Sequence, residues 1–316
     1  MKREDSCDAP GFSLCHGCRR FAGRIGVRTG SPRTIGRASP QSQSSRPINY
    51  RKRALVLWVI ATWLINGCAA TPAEHTAALA LRGGASVGRV SGAGFEHVVF
   101  SRNITANVST LHIYFSGDGT PWIHHTQIAR DPTPRDPLEL RLMLEDPTPS
   151  MYIGRPCYLD LVTAPGCGPA MWTTGRYSES VIDSMTKAVE RVLESSAATQ
   201  IVLIGYSGGG VLAMWVANRL PRIGTVVTIA ANLNIDAWTE LHGYSALSQS
   251  LNPAAVKNWR SSLRQIHLVG ERDRNVPPML VWEFASGLPN TTVRVIPAFD
   301  HKCCWVDVWP TLLTTF

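Results

Sequence analysis

The 316-residue chain is 44% hydrophobic and 17% charged, an apolar share that fills a sizeable core and excludes a globally disordered protein. The length suits one α/β domain of ~250 residues or two smaller ones. The net charge of +8 divides by position: residues 1–68 carry 12 Lys/Arg against 3 acids, and residues 69–316 carry 19 against 20. The basicity belongs to the N-terminal segment, so composition gives the rest of the chain no phosphate-seeking surface and no nucleic-acid partner is expected.

Residues 1–50 are rich in Arg, Ser, Gly and Pro, show no helical or strand periodicity, and are read as a disordered extension or as the product of a start placed too far upstream, with translation beginning near residues 50–55. Cys7, Cys15, His16 and Cys18 have no partner pair at a structural-zinc spacing, so no metal is expected there. Residues 51–68 read as a signal peptide: Arg51-Lys52-Arg53 is a cationic start, and Ala54–Ile65 is an uncharged apolar run of 12 residues. A comfortable membrane span needs about 20. The run ends in Leu64-Ile65-Asn66-Gly67-Cys68, which resembles a bacterial lipobox, although Asn66 stands where Ala or Ser is usual. The resemblance implies export, lipidation of Cys68 with palmitate, and a membrane anchor. Because Ala69 rather than Asp follows Cys68, it also implies an outer-membrane position facing the periplasm or exterior. The plainer alternative is an ordinary signal peptide cut near Ala70. Residues 69–316 are expected to form a single domain.

Within that domain Thr71–Gly94 reads as a polar stretch, and Phe95–Phe100 and Leu111–Phe115 as the first strands. A Pro-rich loop surrounds a short helix at Leu138–Leu144, and Met151–Ile153 is a third strand. In Ser180–Ser195, Val181, Met185, Val189 and Val192 recur at helical spacing, which predicts an amphipathic helix. A strand at Ile201–Ile204, a helix from Gly208 to Asn218 and strands at Thr225–Ala230, Ile266–Val269 and Val293–Ile296 follow, with a terminal helix around Val308–Leu313. Two of these strands, Ile201–Ile204 and Thr225–Ala230, are apolar throughout, as strands covered on both faces are. Strands alternating with helices predict a mostly parallel, doubly wound sheet flanked by helices.

The strongest motif is Gly205-Tyr206-Ser207-Gly208-Gly209, between a buried strand and a helix. A sharp strand-to-helix turn there lifts Ser207 above the sheet, while Gly205 and Gly209 admit close backbone approach. A serine hydroxyl needs a base, and the base an orienting acid. Asp273, in the loop after Ile266–Val269, and His301, after the last strand, supply both in the order Ser…Asp…His. Each falls at the carboxyl end of its strand, where open α/β sheets bind ligands. Glu271 and Asp300 are rival acids, read as surface or loop-fixing carboxylates.

With these motifs residues 95–316 resemble an α/β-hydrolase, which implies that fold, Ser207 as nucleophile, His301 as general base and acid, and Asp273 as its carboxylate. It implies oxyanion donors at the backbone N–H of Gly208 and, from the loop after Leu111–Phe115, of Asp118. The run Tyr114-Phe115-Ser116-Gly117-Asp118-Gly119 resembles a stretch of hydrolase-like periplasmic virulence proteins, and the Asp118 side chain is expected to turn away and fix the loop. His124-His125 read as loop histidines, and His112 as a core or sheet residue. Asn232, Asn234, Trp238 and His242-Gly243-Tyr244 are candidate pocket residues.

Cys157, Cys167, Cys303 and Cys304 are disulfide candidates in an oxidising compartment. A local Cys157–Cys167 staple is favoured over pairing of the Cys157 loop with the histidine loop, leaving Cys303-Cys304 as a vicinal disulfide or free thiols. The function expected is ester hydrolysis of a small ester or lipid, without cofactor; a thioesterase or peptidase of the same fold, or a lipid- or partner-binding protein without turnover, are the alternatives.

Overall fold

The structure, a computed structural model, describes residues 70–316 other than Ala106 and His125. The segment read as a leader, with Cys7, Cys15, His16, Cys18 and Cys68, lies outside the described residues, as does His125 of the His124-His125 pair.

Ten strands are described: Ser86–Ser91 (β1), Glu96–Arg102 (β2), Thr110–Phe115 (β3), Trp122–Ile123 (β4), Gln127–Ile128 (β5), Ser150–Ile153 (β6), Gln200–Tyr206 (β7), Thr225–Ile229 (β8), Arg264–Gly270 (β9) and Thr291–Ile296 (β10). Eight of them form one sheet in the order β1-β2-β6-β3-β7-β8-β9-β10, and β4 and β5 form a separate hairpin. The β2 strand runs antiparallel to both neighbours, while every pairing from β6 to β10 is parallel. The fold is the mostly parallel sheet flanked by helices that the sequence predicts.

Alternation within β7 shows why it is apolar throughout. Ile201 and Leu203 enter the core on one face, with Val181, Met185 and Val189 of the helix Glu179–Glu194 and Val211 and Met214 of the helix Gly208–Arg219. Ile204 and Tyr206 enter the opposite core, with Leu140 and Met143 of the helix Leu138–Glu145 and Trp305 and Trp309 of the helix Trp305–Leu313. Neither face meets water, so no polar alternation survives.

The stretch read as polar, Thr71–Gly94, instead folds into the helix Pro72–Arg82 and the edge strand β1. The helix starts with a reciprocal Thr71–Glu74 capping box and buries only Ala73, Thr76 and Ala80. That stripe of small residues gives no strong apolar period. Most of β1 is exposed, so it carries no hydrophobic pattern to read. The helices Ile235–Leu241 and Pro278–Ala285 are further elements that the sequence reading does not assign.

Candidate active site

The parallel strands place their following loops along one edge of the sheet. The turn between β7 and the helix Gly208–Arg219 is closed by Ser207, whose φ of +51° and ψ of −124° form a conformation few side chains adopt. A Cβ at Gly205 would overlap the backbone of Gly209 and Gly210, and one at Gly209 the carbonyls of Phe115 and Ser116. The turn can therefore be this tight only with glycine at both positions. Gly208 opens the helix, where an N–H has no intrahelical acceptor, and its N–H is thus available to a ligand.

Ser207 Oγ lies 3.2 Å from His301 Nε2, and His301 Nδ1 lies 2.9 Å from Asp273 Oδ2. The Asp273 side chain is fully buried, and its second oxygen accepts the N–H groups of Asn275 and Val276, each at 2.8 Å. With Nδ1–H donated to the carboxylate, Nε2 faces the serine as an acceptor. The Tyr206 ring packs at 5.3 Å against the imidazole. The indole of Trp305 donates to the carbonyls of Asp300 and His301 at 3.2 and 3.3 Å, fixing the histidine loop from below.

The rival acids have other partners. Glu271 accepts the Ala298 N–H at 2.9 Å. Asp300 accepts those of Lys302 and Cys303 at 2.8 and 2.7 Å, bonds that hold its carboxyl below the usual range.

Asp118 anchors the loop after β3. Its carboxylate accepts from Arg155 Nη1 at 2.6 Å, Arg176 Nη1 at 2.8 Å and the Tyr177 hydroxyl at 2.7–2.8 Å. The Tyr158 hydroxyl donates to its carbonyl at 3.0 Å. Burial by itself would raise the Asp118 pKa, but the guanidiniums of Arg176 and Arg155 outweigh it and hold it at about 2. The side chain does fix its loop, yet it does not leave the site: a Cβ on Gly208 would overlap it. Its charge, unfavourable beside an oxyanion when alone, is countered by two cations. Arg155, immediately beyond the strand Ser150–Ile153, could have been found from its place at the same sheet edge; Arg176 and Tyr177 carry no local signal in the sequence.

Two further residues escape the sequence reading. Asn275 Nδ2 lies 2.9 Å from His301 Nε2, with its amide oriented by the Trp238 indole, which donates to Asn275 O at 3.0 Å and Oδ1 at 3.4 Å. Glu139 is 2% exposed and its Oε1 has no hydrogen-bond partner among the described residues. Burial pushes its pKa up to about 8.

Around this chain of groups lies a cavity of about 650 Å³, lined by Ser207, His301, Asn275, Trp122, Trp238 and Tyr244 among others. Gly243 also lines it, whereas His242 turns to the carbonyl of Asn275 at 2.7 Å. Asn232 is buried beside the Tyr177 hydroxyl, and Asn234 caps the helix Ile235–Leu241, so neither belongs to the wall. His112 is a buried sheet residue bonded to Asp146 at 2.6 Å, and His124 sits in the β4–β5 turn. Among the described residues no group of three or more His, Cys, Asp and Glu could hold a metal ion. Cys157 and Cys167 are joined by a disulfide with a Cα–Cα distance of 5.5 Å, and Cys303 and Cys304 are joined to each other.

No family model matches the sequence, and no curated protein matches it. Solved structures do match the fold. Est1E from Butyrivibrio proteoclasticus superposes with a TM-score of 0.52 at 11% identity, over 73% of this chain and 96% of that one. A proline iminopeptidase-related protein from Thermus thermophilus gives 0.50 at 14% identity, over 73% and 95%. A puromycin-hydrolyzing peptidase of Mycobacterium tuberculosis gives 0.52 at 10% identity, over 72% of this chain and 37% of that one. The fold is the α/β-hydrolase fold.

Proposed function

We propose that this protein is a serine hydrolase that cleaves an ester through an acyl-enzyme. The observation that carries the reading is the continuous chain from Ser207 Oγ to His301 Nε2 and from His301 Nδ1 to the buried Asp273 carboxylate. Ser207 attacks the acyl carbon while His301 takes its proton; His301 then returns that proton to the leaving alcohol. Water, deprotonated by the same nitrogen, releases the acid and restores the serine. Asp273 holds the ring in the tautomer that leaves Nε2 free and offsets the charge of the transient imidazolium.

The N–H of Gly208 and that of Asp118 are the donors to the developing oxyanion, each worth roughly 2.7–4 kcal/mol. The Asp118 charge is neutralised by Arg155 and Arg176, which removes the objection to a carboxylate at that position. Thioesters and amides are cleaved by the same sequence of steps; the ester is favoured because its alkoxide leaves without needing the strong acid catalysis an amine requires. In this reading the chain is exported and anchored through lipidated Cys68, as its lipobox-like segment suggests.

The test is labelling of Ser207 by a fluorophosphonate probe, followed by turnover of p-nitrophenyl esters of increasing acyl length. Ser207→Ala should lose labelling and reduce kcat by about 10⁴–10⁶-fold. A folded Ser207→Ala protein with near-native turnover would overturn the reading. A lipid-binding protein that is neither labelled nor active would replace it with binding without catalysis.

A further inference from the structure

The charge around the cavity differs in sign from that of the domain. Residues 69–316 carry 19 Lys/Arg against 20 Asp/Glu. The cavity wall carries Arg135, Arg141, Arg176 and Lys302 against the aspartates Asp118 and Asp136. The third acid of the wall, Glu139, is buried, which pushes its pKa up to about 8, so it is mostly protonated at neutral pH and contributes the least of the three acids to the wall's charge. Asp118 is already shared by Arg176 and the fully buried Arg155 behind it, so that trio keeps one positive charge. Asp136 pairs with Arg141 at 3.4 Å, with both side chains about half exposed. Arg135 and Lys302 take part in neither group and are exposed at the mouth. Lys302 directly follows His301; the Asp300 carboxylate before it accepts the Lys302 backbone N–H and offsets part of its charge, so the larger share of the surplus lies at Arg135 and the Asp118 trio. A near-neutral domain that gathers cations on one concave wall focuses field there and raises the local concentration of anions.

The wall also contains Trp122, Trp238, Tyr206 and Leu247. They offer an apolar face for the uncharged part of a ligand, and the volume is that of a small-molecule site. We propose that the substrate is an ester bearing an oxyanion group, a carboxylate or phosphate, which Arg135 and Lys302 receive at the mouth while its apolar part lies on the aromatic wall. The proposal rests on the hydrolase reading above, and it specifies a substrate class that composition alone, being neutral for this domain, hides.

The experiment compares three esters with the full-length protein at low ionic strength: p-nitrophenyl butyrate, mono-p-nitrophenyl succinate, with its anion on the acyl side, and 3-carboxy-4-nitrophenyl butyrate, with its anion on the leaving group. Higher kcat/KM for at least one anionic ester, by about tenfold over the neutral one, is expected, and the arm that responds tells which side of the scissile bond faces the cations. The preference should shrink toward unity when salt rises to about 0.5 M, where the screening length falls to a few ångströms. In Arg135→Gln and in Lys302→Gln the ratio of anionic to neutral kcat/KM should drop about fivefold each, the scale of a partly exposed ion pair. Both side chains are exposed, and an unchanged Tm shows that the fold is intact.

Equal or lower kcat/KM for both anionic esters overturns the proposal, as does a preference indifferent to salt and to both substitutions. Labelling of Ser207 without turnover of either anionic ester overturns it too. The hydrolase reading fails by a different result, absence of labelling together with inertness toward all three esters, and this inference falls with it.

Discussion

Glu139 and Asp118 are buried carboxyls at the same site with opposite fates. Asp118 has two guanidiniums and a phenol to neutralise it and stays ionised. Glu139 has an oxygen without a partner among the described residues, and burial dominates. Its pKa rises from 4.5 to about 8 on folding, so the native state binds a proton that the unfolded chain has released. Stability therefore falls as pH climbs from about 4.5 to about 8 and is level above that. Glu139→Gln removes this slope: its stability advantage over the native protein should be small near pH 5, grow through neutrality and plateau above pH 8, reaching a few kcal/mol at most (about 1.4 kcal/mol per pH unit as the ceiling). Thermal unfolding of both proteins across that range measures it, and a constant difference would show that Glu139 is not a buried neutral acid.

The terminal helix Trp305–Leu313 acts on the site from outside the cavity, through the backbone of the histidine loop. Trp305 and Trp309 are fully buried, the first donating to the histidine loop and the second to the Tyr114 hydroxyl at 3.0 Å. Trp305→Phe keeps most of the apolar filling but loses the indole N–H, leaving two carbonyls short of a donor at a cost of about 1–3 kcal/mol. Turnover should fall severalfold in kcat with little change in KM, since His301 loses its support while the cavity wall is kept; a steady-state comparison checks this, and an unaltered kcat would place the support elsewhere.

What the sequence shows of these elements follows from how each is buried. The helix Glu179–Glu194 lays one long stripe on the sheet and is plain in its spacing. The Ser207 turn is plain because sterics at Gly205 and Gly209 leave glycine no substitute. The helix Ile235–Leu241 has seven residues and buries only Ile235, Trp238 and Thr239, too little to set a period, yet it brings Trp238 to Asn275. Asn275, Arg155 and Arg176 meet their partners through the fold's long-range contacts, and side-chain meetings of that kind leave no trace in local spacing.

At the scale of the whole molecule, every group assigned to the chemistry lies between residues 116 and 302, separate in sequence from residues 1–68 and their +9 charge. Anchoring and catalysis are therefore expected to separate. Cys68→Ser should end incorporation of labelled palmitate and move the protein from the membrane fraction to the soluble one, while hydrolysis of a soluble ester by the released protein stays near native. A native protein that takes up no palmitate and fractionates as soluble would remove the lipid anchor from the proposal.

The bond between Cys157 and Cys167 gives that separation an order in time. Cys157 lies two residues from Arg155 and next to Tyr158, both of which hold Asp118 in place. A newly made chain in a reducing cytosol lacks this closure, so the segment that carries Arg155 and Tyr158, and through them Asp118, is less constrained until the thiols oxidise. On the export and hydrolase readings together, crossing into an oxidising compartment is then the step that completes the site.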